Sequence, residues 1–135
     1  GWVQRSIFDA PEFQQFKARY DTIALEQDLV GLIGNVHSGV DFLVFFGTWC
    51  GDSRRELPHF LRIADQCGIA SSRIRLYGLD RSKKSNDGLS DQYHIERVPT
   101  FIFLKNGSEV GRITEKPNAT LEADMLSILA SAQQK

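Results

Sequence analysis

Long apolar runs are missing from this chain. None approaches the ~20 residues that a membrane-crossing helix requires, so no span is expected. Cysteine is scarce: Cys50 and Cys67 are the only two, too few for a disulfide scaffold. The three histidines form no ligand-like cluster, so no built-in metal site is expected. Neither sign of charge prevails, with 16 Lys and Arg against 17 Asp and Glu and a net charge of −1. Nothing electrostatic therefore favours nucleic acid or an anionic membrane as partner. Repeats, low-complexity tracts and an interdomain linker are also absent, and 135 residues suit one domain with a full core. The first residues are Gly1-Trp2 rather than an initiator Met. Trimming of a native start is expected from that, and it favours an exported origin, periplasmic or membrane-anchored, over a cytoplasmic one.

What is present is concentrated in residues 40–60. Phe42 to Phe46 is a continuous apolar run, the composition of a strand buried on both faces. Gly47 ends it, and from Asp52 onward Arg54, Arg55, Glu56 and Leu57 favour helix. Cys50 thus falls where a buried strand hands over to a helix start. Free backbone N–H groups and the helix dipole favour an anion there, and a thiolate is an anion. The competing reading is a small buried hydrophobe, with Trp49 as ordinary core.

Around this stretch the pattern predicts alternating elements. Asp9 and Glu12 have capping-box spacing for a first helix, with Phe13, Phe16 and Tyr20 as its apolar stripe. A second helix is expected from about Leu25 to Val36, with Leu25, Leu29, Leu32 and Ile33 facing inward. The helix after Cys50 continues through Leu57, Phe60, Leu61 and Ala64 to about Cys67, with a kink at Pro58 and a stop at Gly68. Ile74 to Asp80 reads as a strand, 81–91 as a polar loop, and Leu89 to Ile95 as a short helix. Thr100 to Leu104 and Ser108 to Ile113 make a hairpin about Asn106-Gly107, and Leu121, Met125, Ile128 and Leu129 mark a last helix.

A second informative stretch is Arg97-Val98-Pro99-Thr100, with Pro99 at a strand entrance. Trp49-Cys50-Gly51, Pro58 eight residues past Cys50, Val98-Pro99-Thr100 and Lys105-Asn106-Gly107 occur in one order, and together they resemble the thioredoxin superfamily. The resemblance covers roughly residues 40–130 and is closest to a bacterial thiol–disulfide isomerase or thioredoxin. It implies an α/β thioredoxin-like fold, a central mixed sheet with helices on both faces. The chain then divides into an N-terminal helical extension (1–39) and a core (40–131), a single domain expected to be a monomer. It also implies a cis bond before Pro99, leaving the Val98 backbone free to pair with a substrate segment.

Three departures bear on chemistry. Where the family carries its second cysteine this chain has Ser53, and the usual Pro before it is Asp52. A hydroxyl forms no disulfide, so an external thiol, glutathione or another, must resolve any mixed disulfide. Cys67 is no substitute, because 17 residues of helix would separate it from Cys50 by ~25 Å, whereas a disulfide needs Cα atoms within ~7 Å. The family's buried Asp and its Lys are replaced by Val44 and Leu76. The resemblance therefore assigns Cys50 and Ser53 as the catalytic positions and Trp49, Gly51, Asp52, Val98, Pro99 and Thr100 as substrate-binding ones. Protein or peptide thiols and disulfides are the expected partners, with no resident cofactor. A redox-inactive module holding a peptide in the Trp49/Pro99 groove is the alternative, and a peroxidase fits less well because Gly47-Thr48-Trp49 lacks that class's pattern. His59, His94, Lys83 and Lys84 are read as structural or solvated.

Overall fold

A computed structural model describes residues 1–134. Five strands form one sheet in the order β1-β3-β2-β4-β5: β1 (Trp2–Val3), β2 (Val40–Phe46), β3 (Ile74–Gly78), β4 (Thr100–Lys105) and β5 (Ser108–Thr114). β2 runs parallel to β3 and antiparallel to β4, and the other pairings are antiparallel, so the sheet is mixed as expected. Five α-helices accompany it: α1 (Gln14–Thr22), α2 (Gln27–Ile33), α3 (Gly51–Gln66), α4 (Leu89–Gln92) and α5 (Leu121–Ala132).

Strand period explains the two cores. Phe42, Val44 and Phe46 of β2 point to one face, where they pack with Leu57, Phe60 and Leu61 of α3, Val30 and Ile33 of α2, and Met125 and Leu129 of α5. Leu43 and Phe45 point to the other face, into a smaller cluster with Tyr77, Ile95, Val98 and Ile102. Trp49, Cys50 and Leu89 lean on that second cluster. The helices are thus unevenly shared: the first face holds α1, α2, α3 and α5, the second only short α4 and the chain leading to β4.

Three details differ from the sequence expectations. The extension is not purely helical, because Trp2 and Val3 pair with Tyr77 and Leu76 and close the edge of the sheet. Asp9 does not cap a helix. Pro11 drives Ala10 into extended backbone (φ −66°, ψ 150°), so two 3₁₀ turns, Arg5–Asp9 and Pro11–Phe13, come first and α1 begins at Gln14. Helix α2 is shorter than Leu25 to Val36; Ile33 is buried as expected, but Leu32 is exposed and Val30 is buried in its stead.

Helix α3 runs unbroken through Pro58. It ends as Gly68 predicts: Gly68 takes φ +76°, and Ile69 N–H donates to the Ala64 carbonyl at 2.9 Å. The extension is bound to this helix at several points. Phe8 stacks on Phe16 at 4.0 Å and lies 5.7 Å from Phe46. Arg5 and the Tyr20 hydroxyl both reach Asp65. Burial disfavours the charged Asp65, yet the bonds from Arg5 and Tyr20 hold its carboxyl below the usual range. Arg19 Nε donates at 2.7 Å to the Arg55 carbonyl, in the turn where Pro58 interrupts the helical ladder.

Cys67 closes α3 and is buried, its Sγ donating to the Val30 carbonyl at 3.4 Å. Burial pushes its thiol from 9.0 up to about 11. Iodoacetamide at pH 8 is therefore expected to modify Cys50 and leave Cys67 intact until denaturant is added, read by peptide mass mapping. A raised folded value means that the neutral thiol's contribution is whole below pH 9 and is lost as pH climbs through about 11. The urea midpoint should fall across that window, and fall less in Cys67→Ala.

Candidate functional site

Strand β2 ends on the buried side of Gly47, and four residues later the chain is helical. Within this turn Cys50 N–H donates to the Gly47 carbonyl at 3.1 Å. Cys50 itself is the N-cap of α3, with extended backbone (φ −97°, ψ 125°), and its carbonyl accepts from Arg54 N–H at 3.0 Å. The thiol therefore stands at the first turn of a 16-residue helix, half-buried and unpaired with the other cysteine.

Its partner comes from a distant segment. Cys50 Sγ donates to the Val98 carbonyl at 3.4 Å, and the Val98–Pro99 bond is cis. The carbonyl of Val98, the residue expected to pair with a substrate segment, receives the thiol. Val98, Pro99 and Thr100 are buried. Thr100 Oγ1 donates to the Arg97 carbonyl at 2.7 Å, so this hydroxyl braces the turn ahead of β4. Among the residues assigned to substrate binding, Trp49, Gly51 and Asp52 keep exposed surface.

Ser53 is 2% exposed and its Oγ accepts from Gly47 N–H at 3.1 Å. That bond fastens the first turn of α3 to the end of β2. Asp52 is ion-paired with Arg55, whose Nη1 also reaches the Gly51 carbonyl at 3.4 Å. The acidic neighbour of the thiol is thereby offset from within its own helix turn. Arg54 has no partner among the described residues.

Trp49 is oriented by contacts that sequence reading missed. Its Nε1–H donates to the Leu79 carbonyl at 2.9 Å, while Arg81 and Lys83 stand 5.4 and 5.9 Å from its ring. Lys83 is therefore more than a solvated loop residue, whereas Lys84 is exposed and paired with Asp91 at 2.7 Å. Gly47 was missed as well: a Cβ there would lie 2.5 Å from Trp49 Cε2, so only glycine lets the indole fold back over the turn. The signal available in sequence is a glycine two residues before a tryptophan, which is weak alone.

Val44 and Leu76, at the positions of the family's buried acid and its lysine, are paired across β2 and β3 and buried. Ionisable burial lies elsewhere. His59 Nε2 is 3.1 Å from Glu122 Oε1, within ion-pair reach but without hydrogen-bond geometry. Glu122 Oε2 accepts from Glu26 N–H at 2.9 Å. Buried Glu56 is raised by desolvation, against the opposing charges of His59, Arg19 and Arg55. No group of three potential ligands capable of holding a metal occurs among the described residues.

A mixed sheet carrying one cysteine at a strand-to-helix turn, facing a cis-proline loop, defines the class: a thioredoxin-fold protein. A family model described as thioredoxin matches residues 9–129, and the chain belongs to that family. A thioredoxin-like protein of Acanthamoeba polyphaga mimivirus is 27% identical over 117 residues, covering 87% of this chain and 80% of its own. A thioredoxin of Malassezia sympodialis is 29% identical over 79 residues, 58% of this chain and 71% of its own. Among solved structures, a Pseudomonas aeruginosa protein of unknown function superposes with a TM-score of 0.73 at 18% identity, covering 97% and 93% of the two chains. That likeness speaks for the fold.

The Gly47–Trp49 contact has a direct test. Gly47→Ala should displace the indole and cost about 1–3 kcal/mol, the usual penalty for overfilling a packed site. Urea unfolding and the near-UV signal of Trp49 both report it.

Proposed function

We propose that this chain is a thiol–disulfide oxidoreductase or isomerase that works through one nucleophile, Cys50, with an external thiol completing the cycle. The observation that carries the reading is the half-exposed Cys50 thiol at the α3 N-cap, 3.4 Å from the Val98 carbonyl. The family supports redox function in general; the single-cysteine route is our inference from Ser53 and from the burial of Cys67.

The steps balance without a resident cofactor. Cys50 thiolate attacks a protein disulfide, forming a Cys50–substrate mixed disulfide and releasing one substrate thiolate, which takes a proton from water. A second thiol then attacks the substrate sulfur of that bond and Cys50 leaves as thiolate. When the second thiol belongs to the substrate the result is isomerisation with no net redox change. When it is glutathione the product is a glutathionylated substrate, and a second glutathione is needed for full reduction. Ser53 takes no part as a nucleophile in this scheme; its hydroxyl holds the turn through Gly47. Trp49, Gly51 and Asp52 offer the exposed surface beside the sulfur.

The test is refolding of scrambled ribonuclease with and without glutathione. Isomerisation by the pre-reduced chain should proceed without glutathione, net reduction should require it, and both should vanish in Cys50→Ala and persist in Cys67→Ala; with oxidised glutathione added, intact mass should show a glutathione adduct on Cys50. Absence of both exchange and adduct would leave the chain a redox-inactive module that holds a peptide beside Trp49. Ser53→Cys restores a second thiol in the family position and is expected to give insulin reduction by dithiothreitol well above that of the unaltered chain.

A further inference from the structure

A cavity of about 690 Å³ opens between the N-terminal extension and the first turns of α3. That falls within the ~300–1,000 Å³ of small-molecule sites. It lies under the helix-bearing face of the sheet, whereas Cys50 and Val98 pack on the other cluster. The peptide-facing sulfur is therefore not part of its wall.

The wall has two chemistries. Phe8, Phe13, Phe16 and Phe46 form an aromatic side, held by the stack of Phe8 on Phe16. Arg19, Arg54 and Arg55 contribute a cationic side, with Glu12 the only acidic lining residue. Two of those cations are engaged, Arg19 by the Arg55 carbonyl and Arg55 by Asp52. Arg54 is not. Ser53 also lines the cavity. Its buried oxygen accepts from Gly47 N–H, while its own proton has no acceptor among the described residues. The unmatched buried hydroxyl donor calls for an acceptor, best an anionic one that the exposed, unpaired guanidinium of Arg54 can also reach.

We propose that this cavity binds a small carboxylate with a ring-bearing apolar body, the carboxylate taken by Arg54 and the Ser53 hydroxyl and the body laid against the phenylalanines. The site is distinct from the thiol groove and does not depend on the chemistry of Cys50. Because it touches Gly47, Thr48, Gly51 and Ser53, an occupant would contact the turn that carries the thiol from behind.

The experiment is an amide NMR titration of the full chain with 4-phenylbutyrate and with its neutral counterpart 4-phenylbutan-1-ol. The acid should shift Gly47, Thr48 and Ser53 saturably, and bind about five- to tenfold more tightly than the alcohol, the scale of one charge-assisted bond at a part-exposed site. Arg54→Gln, at an exposed position, should abolish that preference while leaving alcohol binding unchanged. Cys50→Ala should alter neither. Equal affinity for acid and alcohol, a preference that survives Arg54→Gln, or no saturable shifts at those amides would each overturn the proposal.

Discussion

The bond from Gly47 N–H to Ser53 Oγ decides how the central strand meets the helix that carries the thiol. Gly47 is the first residue past β2 and is buried, so its donor needs a partner. A side chain from the first turn of α3 supplies it. The consequence is positional: the helix start is held against the strand end, and Cys50, between the two, is left with one face toward solvent and one toward Val98. Oxygen is the better acceptor for this purpose than sulfur. The Ser53 hydroxyl forms no disulfide and serves as the acceptor that anchors this turn.

The extension provides the second constraint. Arg5 and Tyr20 converge on Asp65 near the end of α3, while Arg19 reaches the Arg55 carbonyl near its beginning. A helix containing proline lacks one ladder donor, and the turn around it is open to an outside one. The carbonyl that Pro58 leaves without its ladder donor is that of Arg54; Arg19 binds the next one, Arg55, so α1 braces the segment of α3 that leads back to Cys50. The same docking leaves the aromatic and arginine-lined cavity between the two elements. The extension thus both stiffens the site and adds a surface behind it.

What the sequence makes legible follows from how local the determinants are. Strand β2, helix α3, the Asn106-Gly107 hairpin and α5 are written in periodicity and turn chemistry within a few residues, and the structure places them within about two residues of expectation. Asp9 has a competent capping pattern, but Pro11 imposes extended backbone on Ala10 and moves the helix start downstream. Leu32 belongs to the apparent stripe of α2, yet the face of α2 is chosen by docking on α5, which selects Val30 and Ile33. At the site, Cys50 and Val98 are found from motif spacing, because one fold brings them together. The Trp49–Leu79 bond and the cations over the indole are not. They depend on the path of the residue 79–83 loop, which leaves no periodic trace.

Burial of charge gives the remaining constraint on chemistry. Beneath α3, Val44 and Leu76 make a dry pair where a carboxylate and an ammonium would have offered a proton relay. The buried acids are instead Glu56 and Glu122, with His59 between the helices. Burial pushes Glu122 up, but the Glu26 N–H and the charge of His59 hold its carboxyl below the usual range. These groups tie α5 and the α1–α2 connection to α3, and none is bonded to the sulfur. Among the described residues the one polar atom bonded to Cys50 Sγ is the Val98 carbonyl, which accepts a hydrogen bond but is far too weak a base to remove a proton at neutral pH. Any proton that leaves the Cys50 thiol must therefore go to water or to a group from outside the chain, and the half-exposure of the thiol leaves that route open.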